Sequence, residues 1–307
     1  MEYAKAFLSK HISSLIHKDG IKKQFLATIS EFKHTGLDDP LSEKEFTKTE
    51  GLIHRYPDRV VLTVTNRCFA YCRFCFRKNN WANFEGFNLQ ESINYISKHK
   101  EIREVLISGG DPFFLTDKRL DEILNAIKSI QHIRFIRIGT RILTANPKRV
   151  RNDTIAMLKK YRTIWIAAHI NHPDEITDEF RFAARMFIDA GIAIVSQTVL
   201  LKNINDNYNT LKNLFCELTA IGIKPYYLFG CDFAKGNEHF RVSIEKALSI
   251  MESLRGNISG LCMPNFSFDL PNGGGKIVLE PNRTIEKKGN RYLFKNFEGG
   301  EYEYIDV

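Results

Sequence analysis

The sequence predicts an α/β fold in which six β/α units wind into a barrel or an open three-quarter barrel. Three observations carry that expectation. The length, 307 residues, suits one large α/β barrel or two ordinary domains. Short apolar runs alternate with amphipathic stretches at helical spacing. The residue types that do chemistry fall just after the apolar runs, where barrels of parallel strands collect their active sites.

The elements follow in chain order. Phe7, Leu8, Ile12, Leu15 and Ile16 recur at helical spacing, and a second run around Phe25 and Ile29 follows Gly20. This predicts a small helical cap over residues 1–50. Strands are expected at 60–65, 104–108, 133–138, 163–168, 192–197 and 224–229, each short and apolar as in a parallel sheet covered on both faces. Between them, Leu120, Ile123, Leu124, Ile127 and Ile130 form one helical stripe, and Leu211, Leu214, Phe215, Leu218 and Ile221 another. A last helix is expected at 244–254. Right-handed crossovers then place Cys68 to Cys75, Gly109 to Asp111, Thr140, Arg141, His169, Gln197 and Asp232 at strand ends.

Composition excludes several classes. Apolar residues make up 43% and charged residues 26%, with 23 Phe and 11 Tyr, which is a globular chain with a sizeable core rather than a disordered or collagen-like one. The longest apolar runs, such as 192–201, are interrupted by Ser196 and Gln197 and fall short of the ~20 residues a membrane helix needs. The first ten residues lack the charged start and apolar stretch of a secretion signal, so a cytoplasmic location is expected. Lys plus Arg is 44 and Asp plus Glu 36, a net charge of +8. That suits an anionic cofactor or nucleic acid, but the cations are scattered with no block of five, as on a solvated basic surface. No repeat, low-complexity segment or appended RNA-binding motif is present.

The strongest local signal is Cys68-Phe69-Ala70-Tyr71-Cys72-Arg73-Phe74-Cys75, a C-x3-C-x2-C loop after the first barrel strand. Such crowding in a cytosolic chain reads as metal binding or catalysis rather than as a disulfide framework. Three thiolates at this spacing can hold three irons of a [4Fe–4S] cluster and leave the fourth open. Tetrahedral zinc is the competitor, although no second knuckle follows; incidental cysteines are the bland reading. Cys216 and Cys262 lie among apolar residues and read as inert core thiols.

The loop resembles the signature of the radical S-adenosylmethionine enzymes, and the chain further resembles the lysine 2,3-aminomutase family. The likeness runs from Gly51 onward through the stretches 51–59, 105–111, 137–141, 169–173, 224–227 and 269–276. It implies an α/β fold, a partial (β/α)6 TIM-type barrel of the radical SAM class. The barrel would occupy residues 51–260, between the N-terminal helical cap and a short C-terminal β extension at 261–307 that carries a cofactor lysine.

Residue by residue, the resemblance implies that Cys68, Cys72 and Cys75 ligate a [4Fe–4S] cluster. Ser108, Gly109, Gly110 and Asp111 would receive the methionine end of S-adenosylmethionine, the glycines allowing close approach, with His169 and Gln197 holding the same cofactor. Lys276, after Asn272-Gly273-Gly274-Gly275, would be the Schiff-base lysine of pyridoxal 5′-phosphate, and Arg55, Tyr56 and Arg59 the phosphate cluster. On sequence alone that glycine stretch reads as a flexible loop. Arg77 would pair with the substrate carboxylate, and Asp232 with Asp269 would grip a distal ammonium.

The implied reaction is a radical 2,3-amino shift on L-lysine giving β-lysine, catalysed by an isomerase. The alternatives are an aminomutase for arginine or ornithine, or a radical SAM enzyme modifying tRNA. A non-enzymatic Fe–S or nucleic-acid-binding module is a third class. A flavodoxin- or ferredoxin-type electron donor is expected, no membrane partner, and a homo-oligomer is compatible with the family. Where longer family members build a structural zinc site, this chain has Asn207 and no cysteine after Cys262, so structural zinc is not expected. Ile277-Val278-Leu279 replaces the Thr-Pro that often follows the cofactor lysine.

Overall fold

Ten strands hydrogen-bond in sequence order into one sheet: β1 (Thr47–Thr49), β2 (Leu52–Tyr56), β3 (Arg59–Thr63), β4 (Glu104–Ser108), β5 (Phe135–Thr140), β6 (Ile164–His169), β7 (Ala193–Leu200), β8 (Lys224–Gly230), β9 (Asn265–Leu270) and β10 (Gly275–Val278). This is a computed structural model, and it describes residues 7–32, 35–80, 84, 86–161 and 163–307. Strands β3 to β9 run parallel. Antiparallel hairpins flank them: β1 and β2 precede β3, and β10 folds back on β9. A separate antiparallel sheet, β11 (Thr284–Lys288), β12 (Arg291–Lys295) and β13 (Glu301–Ile305), follows.

The expected partial barrel is therefore present, with β9 joining the six expected strands as a seventh parallel one. Its pairing with β8 lies beyond residue 260, so the sheet runs into the C-terminal segment. Strand ends move by a few residues. Thr163 has φ +62°, so β6 starts only after it. Strand β7 continues past a register shift at Ser196 and Gln197 to reach Leu200.

Helices cover the outside: α4 (Leu89–Lys98), α5 (Asp117–Lys128), α7 (Asn152–Leu158), α8 (Asp178–Asp189), α9 (Tyr208–Ile221) and α10 (Ile244–Leu254), with a short α6 (Ile142–Ala145) after β5. Their starts are written in the sequence. The side chains of Asn88, Thr116, Thr177, Asn207 and Ser243 each accept a backbone N–H of the following turn. Asn207 is thus a helix cap. The α5 stripe Leu120, Ile123, Leu124 and Ile127 is fully buried against outward-facing strand residues such as Val105, Ile107 and Ile138. Each such side chain stabilises the fold by roughly 1.5–3 kcal/mol. Cys262 is buried in this core and Cys216 packs against it, as inert thiols should.

The described part of the cap contains α1 (Lys10–Leu15), α2 (Asp19–Phe25) and a one-turn α3 (Glu43–Phe46). Ile12, Ile21 and Phe25 form a small core with Ala70 of the cysteine loop and Ala145 of α6. Phe7 and Ile29, expected on the apolar face, are exposed. Met1 to Ala6 lie outside the described residues.

Candidate active site

On the parallel strands, alternate side chains point away from the helices. Glu104, Leu106 and Ser108 on β4 and Arg137 and Gly139 on β5 line a cavity of about 660 Å³, within the usual range for small-molecule sites. Every site residue named from the sequence lines this one cavity: the three loop cysteines, Ser108 to Asp111, His169, Gln197, Arg55, Tyr56, Arg59, Arg77, Asp232, Asp269 and Lys276.

At one end stand Cys68, Cys72 and Cys75, all free thiols. Burial pushes the Cys68 and Cys75 thiols up, Cys75 to about 11, so binding metal as thiolates would release protons. Three thiols from one short loop, facing one cavity, are the donor set that a four-iron cluster with one open iron takes.

The glycines beside this loop act differently from the sequence expectation. Gly109 has φ +118°, and a Cβ on Gly110 would stand 2.3 Å from the Arg67 carbonyl oxygen. The space they free is filled by the backbone of Thr65 and Arg67, so the glycines bring the β4 turn against the cysteine loop. Asp111 is likewise occupied. Its carboxylate accepts from Thr140 Oγ1 at 2.8 Å, Arg141 N at 2.8 Å and Phe113 N at 3.1 Å, while burial pushes it up to about 6. What remains open toward the cavity is the Ser108 hydroxyl and the turn backbone. His169 and Gln197 are register partners on β6 and β7. Burial, with Arg141 nearby, holds His169 down at about 4, so its ring is neutral at pH 7.

At the other end Lys276 stands on β10, directly opposite Asp269 of β9. The expected flexible glycine loop is instead a hairpin, with only Pro271 to Gly274 left for the turn. Ile277 and Val278 continue the ladder against Phe268 and Ser267, where β-branched residues suit a strand. Lys276 Nζ donates to Asp269 Oδ2 at 2.7 Å and lies 4.1 Å over the Phe229 ring. Its neighbours are thus a carboxylate and aromatic faces. Its backbone N–H donates to the Tyr56 hydroxyl at 2.8 Å. Arg55 Nε donates to Gly273 O at 2.7 Å, and Arg59 stacks on Tyr56 at 3.9 Å. An amine, two guanidinium groups and a phenol so gathered fit an aldehyde cofactor carrying a phosphate.

Asp232, just past β8, is pushed up to about 7 by burial and by the Asp269 charge, with Lys276 opposing. Arg77 is gripped on one edge by Glu43 of α3, Nε to Oε2 at 2.8 Å and Nη2 to Oε1 at 2.5 Å. Its Nη1 reaches toward Ser108 Oγ and Gly109 O, both at 3.4 Å.

Sequence reasoning missed Glu43 and Arg137, which line the cavity, and Gln24 and Glu175, which lie behind it on Arg141. On a helix or turn, Glu43, Gln24 and Glu175 read as solvated polar residues. Arg137 is bonded to Glu104, Nε to Oε1 at 2.7 Å, a pair whose charges disappear into an otherwise apolar strand pattern.

Comparison with known proteins adds two kinds of likeness. The chain matches the radical SAM superfamily over residues 62–214 and the C-terminal family description "Lysine-2,3-aminomutase" over 251–306. An L-lysine 2,3-aminomutase from Fusobacterium nucleatum is 41% identical over 285 residues, 91% of this chain and 67% of that one. One from Methanococcus maripaludis is 41% identical over 295 residues, covering 94% and 68%. A glutamate 2,3-aminomutase from Clostridioides difficile is 40% identical over 287 residues, covering 92% and 68%. Among solved structures, Streptococcus suis SuiB bound to S-adenosylmethionine superposes with a TM-score of 0.51 at 18% identity, over 70% of this chain and 51% of that one. A radical SAM methyltransferase from Sphaerobacter thermophilus gives 0.51 at 16%, covering 71% and 68%. At those identities the structures speak for the fold alone. No helix among the described residues is long and apolar enough to cross a membrane.

Proposed function

This chain belongs to the lysine 2,3-aminomutase family of radical S-adenosylmethionine proteins, and on that premise we propose that it is an isomerase moving the α-amino group of L-lysine to the β-carbon to give β-lysine. The observation that carries the reading is a single cavity in which Lys276, Asp232 and Asp269 share space with three thiols. Overall similarity does not choose the substrate, because the glutamate enzyme is about as close as the lysine enzymes. The two carboxylates do. An enclosed ammonium needs paired charges to offset its desolvation, whereas a second carboxylate brought there would be repelled.

In this reading Cys68, Cys72 and Cys75 hold a [4Fe–4S] cluster. Ser108, the Gly109–Gly110 turn, His169 and Gln197 hold S-adenosylmethionine, with Asp111 fixing the turn from behind. Lys276 holds pyridoxal 5′-phosphate, and Arg55, Tyr56 and Arg59 take its phosphate. When bound, these groups supply a carbon radical that can take a hydrogen atom and a conjugated ring that carries the migrating nitrogen.

The chain's own residues position and enclose. Arg77 offers its Nη1 edge, which makes only long contacts to Ser108 and Gly109, to the substrate carboxylate while Asp232 and Asp269 take the distal ammonium, so an extended diamino acid is fixed at both ends. Neutral His169 donates or accepts without adding charge beside the thiols. Leu41 and Phe46 of the cap line the cavity, and there they exclude water from a radical site. A flavodoxin- or ferredoxin-type donor supplies the reducing electron.

The decisive experiment is anaerobic. Protein reconstituted with iron, sulfide, S-adenosylmethionine, pyridoxal phosphate and a reductant is given lysine, arginine, ornithine or glutamate, and products are separated by mass-resolved chromatography. Conversion of lysine to β-lysine is expected. Formation of 5′-deoxyadenosine with no isomerised amino acid would overturn the substrate assignment and leave the radical chemistry standing.

A further inference from the structure

At the thiol end the cap and the barrel share a polar network that the proposed reaction leaves unused. Arg141, which follows β5, is only 9% exposed and lies between the rings of Phe25 and Phe74, 4.7 and 5.4 Å from their centres. Its Nη1 donates to Cys72 Sγ at 2.7 Å. Its Nη2 donates to Gln24 Oε1 at 2.6 Å and to Glu175 Oε1 at 3.0 Å. Its Nε is buried with no hydrogen-bond partner among the described residues.

Gln24, fully buried in α2, is used completely. Its Nε2 donates to Glu175 Oε1 at 2.7 Å and Gly20 O at 2.9 Å, and its Oε1 also accepts from Asn171 Nδ2 at 3.1 Å. Its main-chain carbonyl accepts from Arg73 N at 2.8 Å, one residue past Cys72. Asn171 is itself fixed by Val199 N, at 2.8 Å.

A buried cation–carboxylate pair threaded through amides is a costly construction, and apolar packing of the same volume would often serve stability as well. This one ends on the sulfur of a proposed cluster ligand. Reduction adds one electron from the external donor to the cluster; no bond forms or breaks, and the added negative charge spreads over iron and sulfur. Hydrogen bonds to the ligand sulfurs and the surrounding shell set how readily that happens. The Arg141–Glu175 charges act strongly on their neighbours because Arg141, Gln24 and Glu175 are buried.

We propose that Arg141 is a positioning residue for the iron–sulfur cluster: its guanidinium donates to the Cys72 thiolate and eases one-electron reduction, while Glu175, held by Gln24, limits how much of that positive charge the cluster feels. The inference rests on the cluster assignment made above. It gives the helical cap a redox role, since α2 supplies both the amide that holds the guanidinium and the carbonyl that pins the loop.

The test is an anaerobic redox titration of reconstituted protein, followed by electron paramagnetic resonance of the reduced cluster, with iron content measured alongside and neither lysine nor pyridoxal phosphate present. Arg141→Gln should move the midpoint to more negative potential, and Glu175→Gln should move it to more positive potential. Arg141→Lys, which keeps the charge, should fall between Arg141→Gln and the parent. Opposite signs are the signature of charge tuning, because loosened packing would not push the two variants apart. If Arg141→Gln fails to retain iron, the sign of the Glu175→Gln shift decides alone. A full cluster with unshifted midpoints, or shifts of one sign, would overturn the tuning role. A parent protein with no reducible four-iron cluster would instead overturn the cluster assignment.

Discussion

At one end of the cavity three thiols hang from an irregular loop; at the other a single lysine stands on a hairpin strand. The hairpin carries its own restraint, because the β9–β10 ladder places Lys276 opposite Asp269 by register. The loop has no ladder. Its shape comes from elsewhere: from the Gln24 carbonyl on Arg73 N, Asn237 Nδ2 on Phe74 O at 2.8 Å, Arg141 on Cys72, and the glycine turn pressed against Arg67. A group held by local register tolerates change far away, whereas one held by borrowed contacts does not. Damage should therefore spread into the thiol end from remote positions and stay local at the lysine end.

The sharpest break of this comparison removes each anchor in turn. Lys276→Ala should abolish turnover and the visible absorbance of bound pyridoxal phosphate while leaving the iron content of the parent. Cys72→Ala should abolish turnover and the full iron complement while the pyridoxal phosphate band persists. Loss of both signatures in either single variant would show that the two ends are not built independently.

Gly110→Ala probes borrowed support without touching a thiol. Its new methyl would meet the Arg67 backbone at 2.3 Å, closer than real contacts allow, so the loop or the turn must shift. Overpacking of this kind costs about 1–3 kcal/mol. The expected outcome is a lower melting temperature together with substoichiometric iron. Parent-like iron with the melting temperature lowered would show that the loop keeps its shape without the turn.

Much of this organisation was legible in the sequence, and what was hidden has a physical pattern. The cysteine loop declares itself because its ligand spacing is local. The strands declare themselves because parallel strands buried on both faces read as apolar runs. Strand β9 was hidden, since Asn265 to Leu270 mixes polar and apolar residues and its partner β8 ends some thirty-five residues earlier, at Gly230. Gln24, Glu43 and Glu175 were hidden because a charged or amide side chain on a helix or turn reads as solvated until tertiary contacts bury it. Gln24 did leave a signal: it falls three residues after Ile21 and just before Phe25, on the apolar stripe of α2, where a polar residue calls for partners.

Glu43 refines the comparison, because the cap also reaches the middle of the cavity. It holds the Nε and Nη2 edge of Arg77 and leaves the Nη1 edge for a carboxylate. Arg77 keeps its charge, burial being outweighed by Glu43. Glu43→Gln should weaken this aim by about 2 kcal/mol, roughly thirtyfold in the KM for lysine, because truncating one partner of a buried charge pair costs that order. Glu43→Asp should recover part of the loss. A lower KM in Glu43→Gln would mean that Glu43 competes with the substrate for Arg77.

The smallest expected effect belongs to Asp232, and its sign follows from the direction of its shift. Its carboxyl is held up at about 7, first by burial and then by Asp269, with Lys276 opposing. Below pH 7 it is neutral, and a cationic side chain meets one carboxylate; above pH 7 it meets two. Lysine affinity should therefore rise about tenfold between pH 6 and pH 8, in proportion to the ionised fraction. Asp232→Asn should flatten that profile. The substrate-free fold should show the opposite trend. A carboxyl raised above its unfolded value contributes stability at low pH that is lost as pH climbs from the ordinary carboxylate range through 7. Asp232→Asn protein should then melt higher than the parent at pH 8 and lose that advantage near pH 4. Opposed pH slopes for binding and stability would locate the titrating charge at the lysine end in Asp232, whereas a profile unchanged by Asp232→Asn would remove Asp232 from that role.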